Sequence, residues 1–353
     1  MTDSGNVAPT LASRLACACN CAYGIDANTG RYTPPAIYDA GVGWIGDPTA
    51  ISAPEATQPE GPHVNACLVG LSADGIVVAF RGTLPPAWTV ASLEDWWQDI
   101  VDSEPVAAPP LPGKVHSGFL AAVQTIWNRV LAAVQALQAA NPTASVLVTG
   151  HSKGGPLASI GAAMLQLSEN VSIAQVVTFA SPHPGDQDFV AGYPSDIAVT
   201  RYENYLDIVP FLPPTDEFYK LFHEFMPESW QREFCSWFPS ICKVLEDASH
   251  WHYTSLGELR YVTSDGEVLG SDHLKAEPWL RLIEIVGAIF GLGTHDETVA
   301  AARKAGPVAM SESGLGRIGA AHCIACKSND PNAKCAGGYM TGSGGDIICP
   351  SAA

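Results

Sequence analysis

Apolar and polar residues follow two different periods along the middle of the chain. Short runs rich in β-branched residues have the length and composition of buried strands. They cover residues 64–71, 75–80, 146–149, 173–179 and 197–202. Between them, two longer segments place apolar residues at helical spacing, one capped by Ser117 and ending at Asn141, the other covering residues 153–167. Strands that alternate with helices of this length predict a mostly parallel sheet covered on both faces.

Two further segments lie outside this alternation. Residues 8–24 predict an amphipathic helix, whose apolar face carries Leu11, Leu15, Ala18 and Ala22. Residues 215–253 are unusually rich in aromatic side chains. This aromatic segment is either a helical insertion with its own small core or a cap that places an apolar wall over a site. We predict that residues 1–353 form one domain.

The composition narrows the class of protein and of partner. The chain has 353 residues, of which 47% are hydrophobic and nine are tryptophans, so it has ample material for a large core. Its 36 acidic and 18 basic residues give a formal net charge of −18. This charge argues against nucleic acid as a partner and against electrostatic docking on anionic membranes. A neutral or apolar substrate suits the chain better.

Residues 145–158 read SVLVTGHSKGGPLA and carry the strongest chemical signal. A β-branched run meets Gly-His-Ser-Lys-Gly and continues into a helical stretch, which is the setting of a G-x-S-x-G nucleophile elbow. Gly150 and Gly154 leave room for a tight turn around Ser152, and the following helix points its free N–H groups at the same place. The pattern predicts a serine nucleophile. A chance glycine-rich turn is the alternative.

The ten cysteines bear on metals and on the compartment. Those of the C-terminal segment 320–353 form either a four-thiolate zinc site or disulfides, and the spacing after Cys323-x-x-Cys326 favours disulfides or free thiols. Disulfides imply an oxidising compartment and secretion. The start of the chain lacks the pattern of a secretory leader, which indicates the cytoplasm instead. The compartment stays open at this point.

Four ordered motifs accompany the elbow. FRGT at residues 80–83 ends a strand, VHSGF at 115–119 opens the first long helix, TFASP at 178–182 ends the strand after the elbow, and DIVP at 207–210 follows the next. In this order, over residues 60–350, they resemble the class 3 lipases, the fungal-lipase-like branch of the α/β-hydrolases. The resemblance implies an α/β-hydrolase fold and hydrolysis of carboxylic esters, typically acylglycerols, through an acyl-enzyme.

The resemblance also implies roles for single residues. Ser152 is the nucleophile, and Asp207 stands at the position of the acid that orients the base. The alternative for Asp207 is a cap of the turn that follows it. The backbone N–H groups of Lys153 and of Thr83, at the oxyanion-loop position, are the expected oxyanion-hole donors. Arg81 is interpreted as an ion-pair partner beneath that loop.

The base is the member of the triad that departs from the family pattern. The Tyr-x-His-x-Gly stretch of many class 3 lipases matches residues 253–257, where Ser255 stands at the histidine position. Other members carry the histidine at the start of a later helix, ahead of a tyrosine, and His322 followed by Tyr339 resembles that segment with a cysteine-containing insertion. We therefore predict that His322 is the base. The remaining candidates are His252, His273 and His295.

Two other histidines lie inside motifs that precede the acid, and we expect His151 to pack under the elbow and His116 to brace the oxyanion loop. Residues 84–102 follow Thr83 where the family carries its lid. Trp88, Leu93, Trp96 and Trp97 suit an apolar lid and equally suit a core.

The leading interpretation is a lipase that needs no metal or organic cofactor and makes at most transient contact with a lipid–water interface. A phospholipase and a polyester or cutin-type esterase use the same triad, so they stay open as alternatives. The alternative from another class is a non-catalytic binding protein on a hydrolase scaffold. The sequence does not indicate an oligomeric state.

Overall fold

The strands and helices follow the predicted alternation. The computed structural model describes residues 9–83, 103–239, 242, 243, 245, 252–305, 308, 309, 311–326, 338–340 and 346–350. The strands are β1 (Thr49–Ala53), β2 (Asn65–Ser72), β3 (Gly75–Phe80), β4 (Pro105–Ala107), β5 (Lys114–His116), β6 (Val146–His151), β7 (Ile173–Phe179), β8 (Gly185–Asp186), β9 (Ala198–Asn204), β10 (Tyr253–Thr254), β11 (Glu258–Val262) and β12 (Val268–Gly270). The α-helices are α1 (Leu11–Ala22), α2 (Ala36–Val42), α3 (Ser117–Ala140), α4 (Gly154–Glu169), α5 (Gln187–Ala191), α6 (Asp216–Lys220), α7 (Glu228–Trp237), α8 (Pro278–Ile289), α9 (His295–Lys304) and α10 (Glu312–His322).

Eight strands form the central sheet in the order β1-β2-β3-β6-β7-β9-β11-β12. The five strands from β3 to β11 in this order run parallel, and antiparallel strands flank them at both edges. The carboxyl ends of the parallel strands therefore meet at one edge of the sheet, where α/β proteins place their sites. The predicted α/β-hydrolase fold, with a mostly parallel sheet flanked by helices, is confirmed. A second, small sheet has the order β10-β8-β5-β4.

Helices α3 and α4 pack on one face of the sheet, and α1 packs on the other against β3 and β6. The amphipathic pattern expected for the N-terminal helix is wrong, because ten of the twelve residues of α1 are buried. The sheet covers one side of α1, while α2 and the C-terminal residues Ile324, Tyr339 and Ile347 cover the rest. A helix enclosed in this way needs apolar or small residues all round, and its alanines and cysteines supply them.

The start of α3 also differs from the prediction. The N-cap is His116 rather than Ser117, and its Nδ1 accepts a hydrogen bond from the backbone N–H of Phe119. The ring of His116 stacks on that of Phe119 at a centroid distance of 4.0 Å. These contacts fix the first turn of the helix, whereas the sequence interpretation expected His116 to brace the oxyanion loop.

The aromatic segment forms α6, a π-helical turn at Leu221–Phe225 and α7. Its buried side chains, among them Phe222, Trp230 and Phe234, belong to the same cluster as the main core and pack against α8. Within the described residues, the segment therefore extends the main core instead of enclosing a separate one. The expected lid, residues 84–102, lies outside the described residues, as does Trp251. Every helix in the described part is too short or too polar to cross a bilayer.

Candidate active site

The elbow holds Ser152 in a strained conformation directly after β6. Its φ angle is +56°, in the left-handed region that non-glycine residues rarely adopt. The backbone N–H of Ser152 donates to the carbonyl of Phe179 at 2.9 Å, and the N–H of Gly155 donates to the Ser152 carbonyl at 2.8 Å. The turn is thus fixed from the neighbouring strand and from the helix that follows.

The two glycines of the elbow are required by space. A Cβ on Gly150 would overlap the backbone of Gly154, and a Cβ on Gly154 would overlap the carbonyl of Phe80. Because both neighbours are main-chain atoms, they cannot move aside as a side chain can. Neither position therefore has room for a side chain, which is the reason that the sequence analysis gave for both glycines.

Asp207 and His322 meet at the same edge of the sheet, although 115 residues separate them in the chain. Nδ1 of His322 lies 3.0 Å from each carboxylate oxygen of Asp207. Both side chains are buried, Asp207 completely. A carboxylate only accepts hydrogen bonds, so Nδ1 carries the proton and the imidazole keeps its proton-accepting lone pair on Nε2.

Two further groups hold the Asp207 carboxylate. Its Oδ1 accepts the backbone N–H of Val209 at 3.0 Å, so Asp207 also caps the following turn, as the alternative interpretation expected. Its Oδ2 accepts the hydroxyl of Tyr339 at 2.7 Å. That hydroxyl in turn accepts the backbone N–H of Asn204 at 2.9 Å. Burial and the charge of Asp207 raise the pKa of Tyr339 well above its usual value, so the phenol keeps the proton it donates.

His151 connects the candidate base to the elbow. Its ring centroid lies 4.8 Å from that of His322, and its Nε2 donates to the His322 carbonyl at 2.7 Å. Its Nδ1 lies 2.8 Å from the hydroxyl of Tyr23, the C-cap residue of α1. Burial, followed by the neighbouring His322, lowers the pKa of His151 well below 6.5, so the ring is neutral. His151, the residue before Ser152, thus contacts His322, which binds Asp207.

The expected oxyanion residues flank Ser152 on two elements. β3 and β6 pair with Phe80 opposite Gly150, so the chain after each strand leaves the sheet at the same edge. A Cβ on Gly82 would lie 3.1 Å from the Cβ of Ser152, and Thr83 follows directly. Lys153 stands at the N-terminus of α4, where the helix dipole favours negative charge. Its ammonium donates to the side-chain oxygen of Asn65 at 2.9 Å, a contact the sequence did not suggest.

The other candidate bases lie elsewhere on the surface. His252 and His273 are exposed, and Nδ1 of His273 accepts the backbone N–H of Lys275. His295 is half-buried and contacts Asp296. Of the four histidines considered, His322 is the one that the structure brings to Asp207.

Arg81 differs from its expected role as an ion-pair partner. The guanidinium is buried and donates to the backbone carbonyls of Ile25 and His63. Within the described residues it makes no ion pair with a carboxylate. It therefore ties the end of β3 to the N-terminal loops through main-chain acceptors.

The described cysteines form disulfides and buried thiols. Cys235 pairs with Cys242, and Cys326 pairs with Cys349. Within the described residues, no group of three or more metal-ligating side chains could hold an ion. Four cysteines are free and buried, namely Cys17, Cys19, Cys21 and Cys67. Burial raises the pKa of the first three thiols to about 12, so they stay protonated and unreactive.

Sequence reasoning missed the contacts of Tyr23 and of Tyr339. Tyr339 carried a signal, since it follows His322 as a tyrosine follows the histidine in the resembled segment. Tyr23 carried none, because it lies 128 residues from the histidine that it contacts. Position in the chain does not reveal such a pairing.

A family comparison matches the central part of the chain, and similar proteins include fungal lipases. Residues 77–217 match the model of the family described as lipase (class 3). The lipase of Rhizomucor miehei is 36% identical over 151 residues, covering 41% of this chain and 39% of the relative. The secreted mono- and diacylglycerol lipase 1 of Fusarium solani is 38% identical over 102 residues, covering 28% of this chain and 30% of the relative.

The chain thus spans well under half the length of the curated relatives it matches. The solved structure of the Rhizomucor miehei triacylglyceride lipase is 20% identical with a TM-score of 0.47, covering 76% of this chain and 91% of that one. Residues 77–217, which include the elbow serine, are thus similar to the class 3 lipase family.

Proposed function

We propose that this protein is a serine-dependent carboxylic ester hydrolase, a lipase that cleaves acylglycerol esters with Ser152, His322 and Asp207. The observation that carries the proposal is the buried hydrogen-bonded pair of His322 and Asp207, which lies against His151 next to the elbow serine. A serine hydroxyl is a poor nucleophile without a base, and an imidazole oriented by a carboxylate is the usual one. The left-handed backbone of Ser152 supports the same role.

The reaction follows from these groups in two steps. Nε2 of His322 takes the hydroxyl proton while Oγ of Ser152 bonds to the ester carbonyl carbon. The resulting oxyanion is stabilised by the backbone N–H groups of Lys153 and Thr83, and Asp207 stabilises the imidazolium. When the C–O bond to the alcohol breaks, His322 returns its proton to the leaving oxygen. Water then repeats the sequence on the acyl-enzyme and releases the fatty acid and free serine.

The substrate class rests on the relatives and on charge. The names of two relatives specify a lipase and a mono- and diacylglycerol lipase. A net charge of −18 suits a neutral ester better than an anionic one. Acylglycerols are neutral and largely apolar. The proposal therefore favours them over phospholipids that carry a negative head group.

The proposal extends to the compartment. Two disulfides persist only where the surroundings are oxidising, and one relative is named as secreted. We therefore infer that the protein works outside the cytoplasm. Release of the native protein into the culture medium, with Cys326 and Cys349 linked in peptide maps, is the expected finding; reduced thiols in the isolated protein would contradict it.

Hydrolysis of p-nitrophenyl esters of increasing chain length, followed by mono-, di- and triacylglycerols, tests the proposal. Ser152→Ala and His322→Ala are expected to remove turnover, while His252→Ala, at an exposed histidine, is the matched control and retains it. Long acyl chains should be preferred. Turnover that survives in Ser152→Ala, or that depends on His252 instead of His322, would overturn the assignment.

A further inference from the structure

A chain of hydrogen bonds leads from the N-terminal helix to the backbone of the candidate base. The hydroxyl of Tyr23 lies 2.8 Å from Nδ1 of His151, and Nε2 of His151 lies 2.7 Å from the carbonyl oxygen of His322. His151 is buried and Tyr23 is half-buried at the same edge of the sheet. The proposed mechanism uses neither of them. Their contacts nevertheless end on the residue that performs proton transfer in that mechanism.

The direction of each hydrogen bond follows from the acceptor at the end of the chain. A carbonyl oxygen only accepts, so Nε2 of His151 carries its proton. The neutral ring then presents a lone pair at Nδ1, to which the hydroxyl of Tyr23 donates. Burial raises the pKa of Tyr23 above its ordinary value, which keeps the hydroxyl protonated. Tyr23 thereby selects one tautomer of His151, the one able to bind the His322 carbonyl.

That carbonyl belongs to the last residue of α10. The last four carbonyls of a helix have no partner within it, so the end of a helix is free to fray unless another group binds there. His151 provides this partner from the residue next to the nucleophile. The distance between the elbow and the end of α10 is thereby fixed through a side chain of the elbow itself.

Tyr23 also packs against Gly82, in the segment that leads from β3 to the expected oxyanion residue Thr83. A Cβ on Gly82 would overlap the Tyr23 hydroxyl and would lie 2.6 Å from the carbonyl oxygen of His151. Gly82 is therefore packed between these two residues, and Thr83 follows it. The Tyr23 hydroxyl thus contacts the segment that leads to Thr83 and, through His151, the helix end that carries His322.

We propose that Tyr23 and His151 are positioning residues that set the base His322 and the segment leading to Thr83 relative to Ser152. The inference rests on the proposed function. Neither side chain touches the substrate. They act by holding backbone atoms in place, and a displacement of about 1 Å in a reacting group can cost on the order of 10²-fold in rate.

Tyr23→Phe tests this with a matched control, Tyr193→Phe. Tyr23 is half-buried and Tyr193 is buried, and each uses its hydroxyl for one hydrogen bond, that of Tyr193 to the carbonyl of Ser159 in α4 at 2.9 Å. Tyr23→Phe is expected to lower kcat for a p-nitrophenyl ester about tenfold with KM little changed. Tyr193→Phe should lower the Tm to a similar extent while leaving kcat as in the wild type.

Two substitutions at His151 distinguish the effect of its hydrogen bonds from the effect of the space that its side chain fills. His151→Leu fills the space without a donor and is expected to lower kcat by on the order of 10²-fold. His151→Gln keeps an N–H for the His322 carbonyl and an acceptor for Tyr23, so it should recover most of that loss. Assays well below the Tm of each variant show whether the loss belongs to the folded protein. Equal kcat in the wild type, Tyr23→Phe and His151→Leu would overturn the proposal.

A measurement that does not depend on turnover separates this inference from the proposed function. In protein labelled with ¹⁵N-histidine, His151 is expected to show a protonated Nε2 and an unprotonated Nδ1 at pH 7. The opposite tautomer would overturn the inference even if the enzyme is active. Absence of any Ser152-dependent turnover in the wild type would instead reject the proposed function, and the tautomer would still decide whether the hydrogen-bond chain exists.

Discussion

Asp207 accepts hydrogen bonds from an imidazole, a phenol and a backbone N–H while completely buried. Its negative charge is the partner of His322 in the proposed mechanism. Asp207→Asn removes this charge and allows an amide N–H to face Nδ1, which favours the wrong tautomer of the base. We expect kcat to fall by about 10⁴-fold with the fold retained, measured with a soluble ester. A loss of less than tenfold in a folded variant would contradict the role of Asp207.

The Tyr339 hydroxyl offers a milder change at the same carboxylate. Tyr339→Phe removes the donor to Oδ2 and the acceptor for the N–H of Asn204. Leaving that buried N–H unpaired costs about 1 to 3 kcal/mol of unfolding free energy. We expect this loss in urea denaturation together with a reduced kcat. Stability equal to that of the wild type would contradict these contacts.

His151 makes stability depend on pH. Its folded pKa lies well below the ordinary 6.5, so below pH 6.5 the unfolded chain binds a proton that the folded protein excludes. Stability from this residue is complete above pH 6.5 and is lost as the pH falls, by up to about 1.4 kcal/mol per pH unit. His151→Gln should lack this part of the slope. Parallel curves for both proteins between pH 5 and 7, from urea unfolding, would contradict the buried neutral ring.

At the scale of elements, the C-terminal disulfide bears on activity as well as on stability. Cys326 and Cys349 are 23 residues apart, and the segment between them contains Tyr339. Replacing both with serine is expected to lower the unfolding free energy by about 2 to 4 kcal/mol. It should also lower kcat, because this disulfide no longer holds the segment that supplies a hydrogen bond to Asp207.

The second disulfide is the matched control for this change. Cys235, in the last turn of α7, and Cys242 are seven residues apart and close a shorter loop. Because a shorter loop restricts the unfolded chain less, its removal should cost less stability. Hydrolysis of a short-chain ester should be unaffected. Equal losses of kcat from both pairs would mean that the C-terminal disulfide has no particular link to Asp207.

The sequence predicted strands and helices well where the apolar residues of a segment repeat at the spacing of only one of these two structures. Strands such as 173–179 and the helix of 24 residues at α3 have patterns that depend only on local neighbours. The environment of α1 was not predictable in this way, since its surroundings come from α2 and from residues beyond 323. Likewise, Ser152 could be recognised as a candidate nucleophile because the residues of the elbow motif are neighbours in the sequence. The contact of Tyr23 with His151 depends on tertiary packing alone.

At the scale of the whole molecule, the net charge of −18 bears on how the proposed lipase would meet a lipid surface. Repulsion from anionic vesicles is screened as the Debye length shrinks from about 10 Å at 0.1 M salt to about 3 Å at 1 M. Hydrolysis of diacylglycerol in phosphatidylglycerol vesicles should therefore rise with salt. The same ester in phosphatidylcholine vesicles is the control and should show little change. A fall with salt on the anionic vesicles would indicate a basic docking face instead.

The central claim is that Ser152 is a nucleophile activated by His322 and Asp207. The most direct test is the rate at which a fluorophosphonate probe modifies the protein, with the modified residue identified by mass spectrometry. We expect one adduct on Ser152 in the wild type, none in Ser152→Ala, and labelling slowed by orders of magnitude in His322→Ala. An adduct on another serine, or unchanged labelling of Ser152 in His322→Ala, would contradict the account.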